Sequence, residues 1–238
     1  NKALLCDLKT KGYFNIKDRV IFANIPFEAV EKPDVQNLFT CLLQREQFMD
    51  GRYSISGHLA ASSPEADFSK QIQGNIDFTA FDGRIYKLTL LSRILSVLNV
   101  SKIFKGKIPN VLQQGFTYKK VHVKADIKES RIYLNEAVID GTDMTMIFKG
   151  WIDPLNDTLE LTCLVAPFKT IDLIVKYIPI INTMFGGSLV SIPVKATGKL
   201  SDPDVIPLHP SAVGKGLIDM MSGILKTPVK LWDKIHGE

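Results

Sequence analysis

The side chains that could do chemistry here are few, and their spacing does not suit it. The four histidines are His58, His122, His209 and His236. None stands in an H-E-x-x-H pattern, and no two are close enough in sequence for a metal pair. The three cysteines, Cys6, Cys41 and Cys163, include no C-x-x-C spacing. No G-x-S-x-G elbow presents a serine nucleophile. Gly214-Lys215-Gly216 resembles a phosphate loop only superficially, because the earlier glycine and the following Ser or Thr are missing. Asp202 and Asp204 flank Pro203, an arrangement that turn chemistry explains. The sequence predicts no catalytic residue, no metal site and no cofactor. His58 and His122 have polar strand neighbours and are expected at the surface. Cys163 alternates with Leu161 and Val165 and is expected to be a core thiol. Cys6 and Cys41 could pair in an oxidising compartment, and the spacing leaves that open.

The elements around these residues are mostly strands. Tyr53, Ile55, Gly57 and Leu59 fall on one side of a period-2 pattern. Ile72, Gly74, Ile76, Phe78 and Ala80 repeat it. Tyr118 follows, then Val121, Val123, Ala125 and Ile127 after a one-residue phase change. Ile132 with Leu134, then Met144, Met146 and Phe148, then Leu159, Leu161, Cys163 and Val165 continue the series. Val190, Ile192, Val194 and Ala196 close it. Such alternation predicts sheets with one dry face and one wet face. Hairpin-like signals stand at Phe81–Arg84, Asp140–Thr142 and Asp153–Asp157, so sequential antiparallel pairing is expected.

Four helices interrupt the strands. One starts near Pro33-Asp34, with Val35, Leu38, Leu42 and Leu43 on one side. A second covers about residues 88–104 and is apolar almost all round, through Leu91, Leu95 and Leu98 among others. A third spans about 169–178 and ends at Pro179. The fourth lies beyond Ser211, a plausible N-cap, and carries Leu217 and Ile224. Leu231, Trp232 and Ile235 follow in an amphipathic last segment. Residues 177–194 are uncharged, but Pro179, Pro193 and Gly186-Gly187 break any helix through them, so no membrane-spanning helix is expected.

The chain has 238 residues, 45% of them hydrophobic and 23% charged, with net charge +4. That composition excludes a disordered chain. The basic residues are scattered, so no nucleic-acid partner is expected. Asn1 opens the chain without a leader, which reads as a piece of something longer. The dry strand faces exceed what short helices can cover. A closed sandwich or barrel would absorb them. An open sheet holding acyl chains would use them, with Gly57, Gly74, Ala80, Ala125 and Ala196 either leaving room or marking bends.

Three blocks carry a resemblance. Residues 83–106, GRIYKLTLLSRILSVLNVSKIFKG, are followed by Ile108-Pro109 and by Gln114 to Tyr118. Residues 164–176, LVAPFKTIDLIVK, are followed by Ile178 to Ile181. Residues 186–210, GGSLVSIPVKATGKLSDPDVIPLHP, are followed by Ser211 to Gly214. In order and spacing these strings resemble the C-terminal region of bacterial AsmA-like envelope proteins, relatives of the chorein-type bridge proteins. The likeness covers about residues 50–230.

The resemblance implies an α+β chain, mainly β, with a curved and largely antiparallel meander sheet. It implies an open hydrophobic groove partly covered by amphipathic helices. The expected organisation is 1–50 as N-terminal strands and a helix continuing a longer body, 51–210 as the AsmA-like β-rich region, and 211–238 as a helical tail. The implied function is holding and transferring phospholipid or another acyl lipid in the Gram-negative periplasm, as part of an inner-membrane-anchored protein serving outer-membrane lipid homeostasis. The groove residues are then Ile55, Leu59, Ile76, Phe78, Leu91, Leu95, Leu98, Val121, Val123, Ile132, Leu134, Met146, Phe148, Leu161, Val190, Ile192 and Val194. Contacts with a membrane surface or an envelope protein fall to Leu217, Ile224, Leu231, Trp232 and Ile235. The competing reading is a non-lipid structural or assembly module acting through that tail.

Overall fold

The computed structural model describes residues 3–43, 47–86, 89–98, 115–167 and 191–226. The expected helix at 169–178, residues 88 and 99–104 of the helix expected at 88–104, Val190, Leu231, Trp232 and Ile235 lie outside them. One open antiparallel sheet of 12 strands organises the described residues. Its strands are β1 (Ala3–Leu5), β2 (Leu8–Thr10), β3 (Tyr13–Lys17), β4 (Val20–Lys32), β5 (Arg52–Pro64), β6 (Gln73–Ile85), β7 (Phe116–Lys128), β8 (Arg131–Gly141), β9 (Met144–Asp153), β10 (Thr158–Pro167), β11 (Ile192–Lys199) and β12 (Pro203–Pro207). From β4 to β12 each strand pairs with the next in sequence, so this part is a meander. The sheet crosses residue 50 without interruption, because β4 pairs with β5 from Val20↔Pro64 to Lys32↔Tyr53.

β2 and β3 share one flank of β4. Thr10 faces Phe27, and Tyr13 faces Asn24. Pro26 falls in the break between them, where a strand residue without an N–H leaves no ladder bond unmade. A two-residue turn, Asp18-Arg19, joins β3 to β4 with φ of 51° and 64°, the mirror-image geometry that suits strand twist. β12, on the opposite edge, begins and ends with proline.

Three helices accompany the sheet: α1 (Val35–Leu43), α2 (Thr89–Val97) and α3 (Lys215–Lys226). The Asp34 carboxylate accepts the Gln36 N–H at 2.9 Å, a side-chain cap at the start of α1. Ser211 does not cap α3. It sits in a short 3-10 turn with its hydroxyl 2.8 Å from His209 Nδ1, and Gly214 supplies the first accepting carbonyl instead.

Two of the three expected turns form, at Thr142-Asp143 and at residues 154–157, where Asp153 accepts both the backbone and the side-chain N–H groups of Asn156. Phe81–Arg84 does not reverse the chain. Asp82 takes φ of 51° and Gly83 follows, so β6 passes through a local irregularity and continues to Ile85. Asp50 holds it there. Its carboxylate accepts the Arg84 N–H at 2.6 Å and the Tyr86 hydroxyl at 2.5 Å, and its carbonyl accepts the Tyr118 hydroxyl. A Cβ on Gly83 would stand 2.1 Å from the Asp50 carbonyl oxygen, so only glycine permits this approach. Burial, with Asp50 and Asp82 nearby, pushes the Tyr118 phenol upward and keeps it a neutral donor.

Cys6 and Cys41 form a disulfide with Cα atoms 5.6 Å apart, tying the β1–β2 turn to α1. The bond spans 35 residues, and closing a loop of that size stabilises a fold by about 4 kcal/mol in the chain-entropy account. Cys41→Ser should lower the urea midpoint accordingly, and wild-type protein in excess reductant should unfold like the variant. A variant that keeps the wild-type midpoint would show the link to be dispensable.

Candidate functional site: an apolar sheet face

Strand register gathers the apolar residues into rows that run across the sheet. The first row is Tyr53, Ala80, Val121, Ile139, Met146, Val165 and Ile192. The next is Ala29, Ile55, Phe78, Val123, Ala137, Phe148, Cys163 and Val194. The third is Phe27, Gly57, Ile76, Ala125, Leu134, Gly150, Leu161, Ala196 and Val205. The fourth is Ile25, Leu59, Gly74, Ile127, Ile132, Ile152 and Leu159. No polar side chain interrupts any of them. A bulge in β8 keeps this alignment: Asn135 and Glu136 together oppose Lys149, so Leu134 and Ala137 stay on the same face despite odd spacing.

Burial falls along this face. Every member of the first row is buried. All of them but Ile192 belong to one core cluster with Val35 and Leu38 of α1 and Leu90, Leu91, Ile94 and Leu95 of α2, and Leu98 packs against it. α2 also runs against β12, and Arg93 pairs with Asp202 at 2.6 Å. In the third row Phe27, Ile76 and Leu134 are half-buried. In the fourth, Ile25, Leu59, Ile127, Ile132 and Ile152 are all half-buried. The apolar face is therefore least covered at its fourth row between β4 and β9; beyond that row Ala23, Ala61, Ile21 and Ser63 are buried again.

Every expected groove residue on a described strand lies on this one face. Ile55, Leu59, Ile76, Val123, Ile132 and Leu134 retain exposed surface there. Phe78, Val121, Met146, Phe148, Leu161, Ile192 and Val194 are buried, as are Leu91 and Leu95. Their surface is consumed by internal packing, so their place is in the core rather than on a ligand-facing lining. Phe27, Ile25, Ile127 and Ile152 belong to the half-buried area and are not among the expected residues. The alternation that identifies the first two runs through Ile21, Ala23, Ile25, Phe27 and Ala29. Gly57 and Gly74 do not simply leave room. A Cβ at Gly74 would stand 1.9 Å from the His58 carbonyl oxygen, and one at Gly57 would meet Asn75 O at 2.3 Å and the Phe27 ring at 2.5 Å. They allow close backbone approach.

The opposite face mixes polar and charged residues with Phe22, Pro26, Phe81, Trp151 and Ile206, and carries one buried apolar patch, Val138, Ile147, Leu164 and Ala166. Val213, Leu217, Ile218 and Met221 cover this patch. Leu217 is 3% exposed, so it packs on its own sheet and is not available to a membrane or partner. Ile224 belongs to α3 by sequence, but its side chain is not among the described ones.

His122 also lies on this opposite face, yet it is 4% exposed, so it is not the surface residue its polar neighbours suggest. Its Nδ1 is 2.9 Å from Thr79 Oγ1 and 3.8 Å from Asp77, with Glu136 at 3.9 Å from Nε2. Desolvation lowers its pKa below the usual histidine value, outweighing the opposite pull of Glu136 and Asp77. Burial drives the Cys163 thiol far upward and leaves it inert. Among the described residues no group of His, Cys, Asp and Glu side chains could hold a metal ion, and no helix is long and apolar enough to cross a membrane.

Because the folded state binds the His122 proton more weakly than the unfolded chain, stability should fall as pH drops below about 6.5. His122→Gln should flatten that slope in urea titrations across pH 5–7.5. An unchanged slope would remove His122 as its source. Comparison of the chain with protein-family models, with curated proteins and with solved structures finds no match in any of the three.

Proposed function

We propose that this chain is a lipid-binding module that holds acyl chains on its apolar sheet face, working in the periplasm as part of an envelope protein that moves phospholipid. The half-buried third and fourth rows carry this reading. They place Phe27, Ile76, Leu134, Ile25, Leu59, Ile127, Ile132 and Ile152 side by side from β4 to β9. Strands about 4.8 Å apart make that area roughly 24 Å wide, more than the roughly 15 Å length of one leaflet's acyl chain. Each buried CH₂ contributes about 0.8 kcal/mol, so a tail is held without a specific polar contact. One stretch of such a track packs against a tail much as the next does, which lets the tail slide. In this reading the open sheet is a curved groove and α1 and α2 cover one part of it.

Two further observations support it. The Cys6–Cys41 disulfide suits an oxidising compartment. The three sequence blocks resemble AsmA-like proteins, for which lipid movement between membranes is the expected role. The assembly-module reading needs the amphipathic tail free, and Leu217 is already committed to the sheet.

Lipid extracted from purified, folded protein and native mass spectrometry provide the test. The wild type should carry phospholipid. Ile76→Asp and Leu134→Asp place a charge on half-buried positions and should reduce bound lipid by roughly tenfold or more, with a cooperative thermal transition retained. Folded wild-type protein without lipid, and unable to take it up from micelles, would sink the proposal.

A further inference from the structure

Four of the exposed large hydrophobic side chains among the described residues lie on one hairpin. Tyr13 is 60% exposed, Phe14 58% and Ile16 62%, with Phe22 also exposed; register puts Phe14 and Ile16 on the apolar face and Tyr13 and Phe22 on the opposite one. All belong to β3 and β4 on either side of the Asp18-Arg19 turn. Scattered surface hydrophobics need no explanation, but such a cluster on a free edge strand does.

Two features indicate what it contacts. The first is charge. Lys11, Lys17 and Arg19 frame the cluster, against Asp18 as the single acid between residues 11 and 22. Aromatic and isoleucine side chains set among basic ones match the boundary of an anionic bilayer, where rings sit at headgroup level and cations face the lipid phosphates. The second is position. Phe14 faces Ala23 and Ile16 faces Ile21, and both partners are buried members of the apolar face. Ala23 and Ile21 extend that face beyond Ile25, and their β5 partners Ala61 and Ser63 are buried as they are. Phe68 bridges toward it, with its ring centroid 6.2 Å from that of Phe14. Phe14 and Ile16 thus stand on the sheet face that carries the half-buried rows, with this covered stretch between them.

We infer that the β3–β4 hairpin docks on an anionic phospholipid bilayer, seating Tyr13 from one face of the ribbon and Phe14 and Ile16 from the other in the interface, beside the apolar face of the sheet. This gives the lipid-holding reading its entry point and rests on that reading for its purpose, while its test is separate.

The experiment is flotation of the full chain with vesicles of phosphatidylethanolamine containing about one-third phosphatidylglycerol, beside pure phosphatidylcholine vesicles, with lipid content followed by native mass spectrometry. Wild-type protein should float with the anionic vesicles and much less with the zwitterionic ones. Phe14→Ser/Ile16→Ser should weaken that association by roughly tenfold or more. Lys11→Glu/Lys17→Glu leaves the apolar side chains in place and should reduce association with anionic vesicles alone. Melting temperatures confirm that each variant is folded. If the serine variant fails to fold, the charge variant and the vesicle comparison decide the question. Wild-type protein that carries lipid but does not float would overturn the docking inference and leave the holding function standing. So would folded variants that float as well as wild type. Self-association of the wild type that both variants abolish, without vesicle binding, would assign the hairpin to a second copy of the chain and equally overturn it. Loss of flotation with lipid still bound is the expected result for both variants, and it separates docking from holding.

Discussion

The register of the strands is the constraint on which the other features depend. A strand alternates its side chains with period two, so a slip of one residue would move its apolar set to the wet face. Between β4 and β11 the pairing aligns four apolar rows, the first starting at β5 and the fourth ending at β10. Tight turns at Thr142-Asp143 and at residues 154–157 set part of that register. The β8 bulge corrects the rest, absorbing one residue so that Leu134 and Ala137 share a face. Asp50 adds a tie at the other end, where β5, β6 and β7 meet. Among the described residues the sheet is open, and no closing strand shares this task.

A single sheet with one continuous apolar face must find cover for it. α1 and α2 contribute to the core at one end, and α3 seals the small apolar patch on the other side. The fourth row keeps exposed surface from β4 to β9. Surface of that kind lowers the stability that complete burial would give. Its persistence in an otherwise well-packed sheet is the physical reason for reading it as a site rather than as unfinished core.

Much of this is legible in the sequence. Strands β5 to β10 follow the alternation through Ile55, Ile76, Val123, Met146 and Leu161, and the phase change after Tyr118 coincides with a register shift between Tyr118 and Lys120. β4 is harder to read because Phe22, Pro26 and Val30 place apolar groups on its second face and blur the period. Asp82-Gly83 resembles a reversal because turns and bulges draw on the same positive-φ residues. His122 eludes the sequence for a different reason: strand alternation reports which face a residue takes, not what covers it. Burial of half the expected groove residues is hidden in the same way. Alternation places them on one face, but cover from sequence-distant residues is not a local signal.

The prolines of β12 bear on how the molecule behaves toward other copies of itself. Leu208 donates to the Pro193 carbonyl at 2.9 Å. By the two-residue alternation Ile206 and Asp204 also donate inward, while Pro203, Val205 and Pro207 turn outward. Two of those three outward positions lack an N–H, so this edge offers a foreign strand a single donor. β3, on the far side, has no proline among its residues. The sheet is therefore polar in the sense that a growing filament is polar: one margin is barred to templated addition, and any strand recruited from outside must enter at the other.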